Sequence, residues 1–252
     1  MKKIIIANWK MKLDARGAAS LAKQLVRASG RVSKSERAER EVVLCPDYLS
    51  LSAVAGIIRG RSLRLGAQDS AATSRGALTG EVSPADLKAL GVRYVILGHS
   101  ERREHLHENS AIINAKIKAA LEKGLIPVLC VGEKLAERKS GGARQYLNGE
   151  LSRALKSVKI KNAASLIIAY EPIWAISSAR GAKPLAAFEA SAIHKFIKER
   201  ASRLLGKSPR VLYGGSVSAA NAADLLRQPD IDGLLVGSAS LNSREFMSIC
   251  FL

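Results

Sequence analysis

The fold is decided in residues 94–131, which open with Tyr94-Val95-Ile96-Leu97-Gly98-His99-Ser100-Glu101-Arg102-Arg103 and close with Ile126-Pro127-Val128-Leu129-Cys130-Val131. Both ends are unbroken apolar runs. Such runs suit strands whose sheet is covered on both faces, as parallel sheets are. Between them, Asn109 is placed to cap a helix, Ile113, Ile117, Ala120 and Leu121 form one helical face, and Gly124 can close it. Strand, helix and strand in this order make one βαβ unit.

The same alternation extends in both directions. Ile4 to Ala7, Val42 to Cys45 (ended by Pro46) and Leu63 to Ala67 read as earlier strands. Leu166 to Tyr170, Val211 to Tyr213 and Leu234 to Val236 read as later ones. Helices separate them. Ala18, Leu21, Ala22, Leu25 and Val26 share a face, Leu49 to Ile58 is a second stretch, and Ser83-Pro84 opens a short third one. After Pro184 the pattern predicts a helix carrying Leu185, Phe188, Ile193, Phe196 and Ile197. Eight units of roughly 31 residues each fill the chain, the size of a βα repeat. The economical reading is an α/β fold, one (β/α)8 barrel domain spanning 1–252, with an open doubly wound sheet second.

Composition narrows the partners. Hydrophobic residues make up 47% of the 252, enough for a sizeable core, while aromatics are only 4%, so aliphatic packing dominates. No apolar run approaches the ~20 residues that span a bilayer. Met1 to Ile6 begins like a leader, but Asn8, Lys10 and Lys12 interrupt it, so an untargeted, cytoplasmic chain without membrane association is expected. Cys45, Cys130 and Cys250 are odd in number and far apart, which favours reduced thiols over disulfides. The formal net charge of +18 attracts anions of any kind. Two basic stretches, Arg31 to Arg40 and Lys134 to Lys161, are read as solvated helix faces because Glu36, Glu39, Glu41, Glu137 and Glu150 are mixed in.

In such a barrel the chemistry sits at the C-terminal ends of the strands and in the loops that follow. Those positions hold Asn8-Trp9-Lys10, Gly98-His99-Ser100-Glu101-Arg102-Arg103, Glu171-Pro172-Ile173-Trp174, Gly214-Gly215-Ser216 and Gly237-Ser238. Taken singly, a lysine at a strand end is a surface group and a Gly-Gly pair is a turn; their common register is what makes them a candidate site. Gly215-Ser216 and Gly237-Ser238 offer backbone N–H groups at strand-to-helix junctions, where phosphate binds well. A small phosphorylated substrate follows. His105 and His107 form an H-x-H pair without further ligands at metal spacing, so neither a metal nor an organic cofactor is called for.

With these segments in view, the chain resembles the triosephosphate isomerase family along nearly its whole length, a TIM barrel. The resemblance rests on Ala7-Asn8-Trp9-Lys10-Met11, Gly76-Ala77-Leu78-Thr79-Gly80-Glu81, Gly98 to Arg103 and Cys130-Val131-Gly132-Glu133. It continues through Ala169-Tyr170-Glu171-Pro172-Ile173-Trp174-Ala175-Ile176, Tyr213-Gly214-Gly215-Ser216-Val217 and Leu235-Val236-Gly237. The resemblance implies interconversion of dihydroxyacetone phosphate and D-glyceraldehyde 3-phosphate by proton transfer through an enediolate. Glu171 would be the general base, His99 a neutral electrophile, and Lys10 the positive charge beside enediolate and phosphate. Asn8 would hold Lys10 and touch substrate, with Glu101 in the same charged network. The backbone N–H groups of Ser177, Ser216, Gly237 and Ser238 would bind phosphate. Pro172, Ile173, Trp174, Ala175, Ile176, Ser177, Ser178, Ala179 and Arg180 would form a lid that excludes water, with Ile176 and Leu235 walling the carboxylate. The resemblance also implies a homodimer in which the Gln68 to Glu81 loop enters its partner, Thr79 at the tip bracing the partner's Asn8 and Lys10.

Several positions depart from the family. Its lid tip reads Ile-Gly-Thr-Gly-Lys, whereas Ile176-Ser177-Ser178-Ala179-Arg180 has no glycine. A β-carbon at a position of positive φ costs roughly 1–2 kcal/mol, a bias on lid closure. Ser238 and Asp69 replace the usual Gly and Asn, and the strong positive charge is unusual. Three other readings follow: a catalytically impaired homologue, a different phosphosugar isomerase, and a basic protein with secondary nucleic-acid binding. The last lacks helix-turn-helix, aromatic platform and zinc finger, so such binding would be at most nonspecific. If the field steers an anionic substrate, kcat/KM falls as ionic strength rises; a flat response across a salt series removes that idea.

Overall fold

The computed structural model describes residues 2–176 and 184–251. Its strands are β1 (Lys3–Asn8), β2 (Arg40–Cys45), β3 (Arg64–Ala67), β4 (Tyr94–Leu97), β5 (Ile126–Val131), β6 (Ile167–Tyr170), β7 (Arg210–Tyr213) and β8 (Gly233–Val236). Each pairs in parallel with the next, and β8 closes on β1 through Ile4↔Gly233 and Ala7↔Val236. This is the expected closed barrel; an open sheet is excluded by that last ladder. Every anticipated strand is present, displaced by a residue or two at most at its start.

The first half of the surrounding layer contains α1 (Ala15–Arg31), α2 (Lys34–Glu39), α3 (Tyr48–Ile58), α4 (Pro84–Ala89), α5 (Ser100–His105) and α6 (Ser110–Glu122). The second half contains α7 (Leu135–Lys139), α8 (Ala143–Ala154), α9 (Ala187–Leu205), α10 (Ala219–Arg227) and α11 (Ser243–Cys250). Local chemistry sets their ends. Asp14 accepts from the Gly17 N–H to start α1, and Asn109 accepts from the Ala111 and Ile112 N–H groups to start α6. Gly124, at φ +69°, turns the chain away after α6.

Alternation along each strand divides the core in two. Ile4, Ile6, Tyr94, Ile96, Val128 and Ile167 fill the barrel interior, while Ile5, Ala7, Val95, Leu97 and Ile168 face the helices. Burying both sets is why the strands are continuous apolar runs.

The structure corrects two expectations about the outer layer. The helix after Pro184 begins at Ala187; Leu185 precedes it, although Leu185 is buried in the outer core. Phe188 is 71% exposed, because the buried face runs through Ala190, Ile193, His194 and Ile197 and Phe188 sits two residues out of phase. Glu41 and Glu150 do not belong to solvated faces. Glu41 accepts from the Tyr94 hydroxyl at 2.7 Å at the N-terminal end of the barrel, and Glu150 is buried beneath β5. The three cysteines are buried free thiols, as expected, and burial pushes each thiol well above its ordinary range.

His194 of α9 is fully buried, with its ring 5.8 Å from Tyr170 and 6.2 Å from Tyr213. Burial pushes its pKa from 6.5 down to about 3. The folded ring therefore stays neutral, while the unfolded chain takes up a proton as pH falls through 6.5. Stability is expected to decline below about pH 6.5 and to level off near 3, at ~1.4 kcal/mol per pH unit in between. Urea unfolding across that range should show the decline, with a shallower slope in His194→Gln. Equal slopes in both proteins would assign the effect to other groups.

Candidate active site

Interior parity selects the first site residues. In β1 the inward series Ile4, Ile6 continues to Asn8; in β6 the series Ile167, Ala169 continues to Glu171. Strand alternation thus aims an amide and a carboxylate into the C-terminal mouth of the barrel. In β4, inward Tyr94 and Ile96 are followed by Gly98, so strict alternation would point His99 outward. Gly98 has φ +71°, a conformation open to glycine, and this kink returns the His99 ring to the mouth. His99 Nε2 then lies 3.2 Å from Glu171 Oε1.

Hydrogen bonds assign the histidine tautomer. The Glu101 backbone N–H at the start of α5 donates to His99 Nδ1 at 3.3 Å, so the neutral ring carries its proton on Nε2, facing Glu171. The second carboxylate oxygen of Glu171 accepts from the Ser100 N–H at 3.4 Å. Glu171 itself is 3% exposed and packs against glycines. A β-carbon on Gly132 would lie 1.7 Å from the Glu171 carbonyl oxygen, and one on Gly214 would lie 2.8 Å from Glu171 Cγ.

Lys10 adopts φ +52°, a left-handed conformation that costs roughly 1–2 kcal/mol outside glycine. Local bonds hold it there. Its N–H donates to Asn8 Oδ1 at 3.1 Å, and Gln68 Nε2 donates to its carbonyl at 2.9 Å and to that of Cys45 at 3.0 Å. The ammonium meets Glu101 Oε1 at 2.6 Å. Burial raises the Glu101 carboxyl, but the Lys10 hydrogen bond and charge, with His99 and His105, outweigh it and leave the group below its ordinary value. The Lys10 stem also passes 3.8 Å from where a β-carbon on Gly237 would sit, so the β1 and β8 turns share one space.

The Ser216 N–H, expected to face phosphate, donates instead to the Ala175 carbonyl at 2.8 Å. That donor reaches a ligand only when Ala175 moves. Gly237 precedes the short 3-10 turn Ser238–Leu241, its carbonyl accepting from Ser240. Of the lid, Pro172 to Ile176 are described: Ile173 to Ala175 form a turn, with the Ile173 N–H on the Glu133 carbonyl and the Trp174 indole N–H on Glu133 Oε1, each at about 3 Å. Ile176 and Leu235 are both buried. Ser177, Ser178, Ala179 and Arg180 lie outside the described residues. Thr79 is exposed in the loop after β3, and His105 and His107 are exposed, with no cluster of three metal-ligating side chains among the described residues.

Some supporting side chains were invisible beforehand. Glu133 accepts at one oxygen from both Tyr170 and Trp174, linking β6 to the lid. Arg103 donates to the carbonyls of Gly98 (2.7 Å) and Cys130 (3.0 Å) and pairs with Glu150, whose other oxygen accepts from the Gly132 N–H. The ends of β4 and β5 are thereby clamped beneath His99 and Glu171. Burial raises the Glu150 carboxyl, with Arg103 opposing. Asp69 joins Arg102, Lys116 and Glu108 in a buried network, and burial pushes Asp69 up to about 6 against the pull of Lys116 and Arg102. Beforehand, Glu133, Arg102 and Arg103 stood out only as members of quoted motifs, Asp69 as a departure from the family, and Glu150 as part of a solvated face.

Comparison with known proteins agrees with this geometry. The family model described as triosephosphate isomerase matches residues 3–251. The triosephosphate isomerase of Chloroflexus aurantiacus is 41% identical over 98% of this chain and 97% of its own length. That of Symbiobacterium thermophilum is 43% identical over 98% and 95%. A crystal structure of triosephosphate isomerase from Bartonella henselae superposes with a TM-score of 0.86 at 33% identity, covering 99% of this chain and 98% of that one. With the family model matching nearly the whole chain and the first two of these relatives 41% and 43% identical over almost their full length, the chain belongs to the triosephosphate isomerase family.

Proposed function

We propose that this chain, as one catalytic domain over 1–252, interconverts dihydroxyacetone phosphate and D-glyceraldehyde 3-phosphate. The observation that carries the reading is the Glu171 carboxylate beside the protonated Nε2 of His99, with Lys10 on the same rim. Glu171 removes a proton from one carbon of the triose and returns it to the neighbouring carbon, while the carbonyl oxygen gains a proton and the neighbouring hydroxyl oxygen loses one at the His99 edge. Negative charge grows on the substrate oxygens during the first transfer. His99 Nε2–H and the Lys10 ammonium stabilise it there, fixed before the reaction begins. Asn8 orients Lys10. No step requires a metal or redox group, since only protons move within one molecule, one between the two carbons and one between their oxygens.

The resting hydrogen bonds define what binding must change. Glu171 is held by His99 and Ser100, and the Ser216 N–H by Ala175, so substrate engagement requires both contacts to open. Ser216, Gly237, Ser238 and Ser177 are proposed as the phosphate donors, and Pro172 to Arg180 as the lid. Closure removes water and strengthens every charge interaction inside.

We further propose a homodimer. Met11 (91% exposed), Leu49 (89%), Leu78 (49%) and Tyr48 (39%) lie in or just after the loops following β1, β2 and β3. Those neighbouring strands gather the apolar side chains into one sector of the rim, and Thr79 is at the tip of the same loop as Leu78. A second copy covering this sector removes the patch from water. The buried free thiols support a reduced, cytoplasmic setting, and no helix among the described residues is long and apolar enough to cross a membrane.

Turnover of glyceraldehyde 3-phosphate by the purified protein tests the reaction. Glu171→Gln is expected to abolish it, and Glu171→Asp to lower kcat about 10²-fold or more while KM changes little, because a base displaced by about 1 Å loses alignment. Unchanged turnover in either variant refutes the role of Glu171. Absent turnover in the parent protein, with phosphate ligands still bound, marks an impaired homologue instead. Leu78→Asp is expected to shift the protein to a monomer in sedimentation and to lower its activity on dilution; an unaltered dimer would place the interface elsewhere.

A further inference from the structure

The positive charge is not spread evenly. Two grooves adjoin on the face of the barrel opposite the active site, where the N-terminal ends of β3 to β6 emerge. The first, of about 320 Å³, is edged by Arg59, Arg61, Arg64 and Arg93 and holds no carboxylate. The second, of about 580 Å³, shares Arg93 and adds Lys118, Lys159 and Lys161. Its one acid, Glu122, is already paired with Lys123 at 2.7 Å. All of the groove cations are exposed, and among the described residues only Arg93 has a carboxylate partner, Glu41 at 3.4 Å. Apart from that pair, no carboxylate among the described residues offsets these charges. Holding like charges together without partners is unfavourable unless an anion offsets them.

The chemistry of the grooves describes the anion. Arginine predominates in the first, and its planar fork matches phosphate oxygens. The two concavities share Arg93 in their lining, so their cations border one band that suits a chain rather than a plane. None of the large exposed apolar side chains lines either groove, so there is nothing to insert into a bilayer and no ring on which a base could stack. Polar neighbours Ser157, Asn162 and Ser165 add hydrogen-bonding groups without base-reading geometry. We propose that this face is a binding site for the sugar-phosphate backbone of single-stranded nucleic acid, blind to base sequence. Because it lies at the far ends of the strands, about 13–20 Å from the catalytic mouth, bound strand and triose phosphate do not compete.

The test is anisotropy of a fluorescein-labelled oligouridylate titrated with the whole protein at several salt concentrations. The variant Arg59→Gln/Arg61→Gln/Lys159→Gln/Lys161→Gln is compared with Lys23→Gln/Arg27→Gln/Arg31→Gln/Lys34→Gln, which removes equal charge from the α1–α2 side. The groove variant is expected to lose about tenfold or more in affinity and about 3 in the slope of log K against log salt, with the control close to the parent. Isomerisation rates of both variants check that they fold. A footprint of the parent protein needs no variant: bound oligonucleotide should protect Lys159 and Lys161 from acetylation, but not Lys23 or Lys34. Equal loss in both variants, equal protection of all four lysines, or binding to phosphatidylglycerol vesicles with none to the oligonucleotide would overturn the proposal.

Discussion

Parallel strands cannot be joined by tight turns. Each must be followed by a return segment of a dozen residues or more, and in this chain that segment is helical. Eight strands paired this way and closed on themselves all emerge at the same end, so eight loops crowd one mouth. Everything at the site depends on that closure. Asn8, His99, Glu171, Ser216 and Gly237 are scattered over most of the sequence, yet each ends or follows a strand of the same barrel. The Ile4↔Gly233 and Ala7↔Val236 ladder brings the first and last of them together, which is how Lys10 comes to run beside Gly237.

Within the mouth, the charged side chains that are buried or half-buried meet partners. Glu171 has His99 and Ser100; Lys10 has Glu101, with Asn8 and Gln68 holding its backbone. Beneath them, Arg103 and Glu150 satisfy the strand-end carbonyls and the Gly132 N–H that would otherwise be left unpaired. The glycines at 132 and 214 make room for the base, and the one at 98 turns the histidine inward. The Glu171 carboxylate is therefore positioned by the surrounding strand ends as well as by its own hydrogen bonds to His99 and Ser100.

The two ends of the barrel have different electrostatics. At the C-terminal mouth Lys10 is matched by Glu101, and Arg102 and Lys116 by Asp69 and Glu108, as buried or half-buried charges require. At the N-terminal end Glu41 balances Arg93, but the surrounding rim carries arginines and lysines in excess. A net charge of +18 says nothing about this division, since it sums over both ends.

Strands were legible in the sequence because burial on both faces leaves continuous aliphatic runs, and helix starts because Asp14 and Asn109 act within a single turn. The residues proposed for catalysis stood out as candidates through their place in the βα register, while their individual roles came from the family resemblance. Elsewhere the sequence was silent or misleading. Phe188 has the spacing of a core residue but lies out of phase with a helix whose start its neighbours decide. Glu150 sits in a run of basic residues, and only its approach to Arg103 and Gly132 makes it a buried clamp. Gln68, Glu133 and the Asp69 network likewise act on partners distant along the chain. Local preference and periodicity are written within a few residues and determine which elements form. Which side chains meet across the barrel depends on strand register and closure, long-range properties that only the tertiary structure decides.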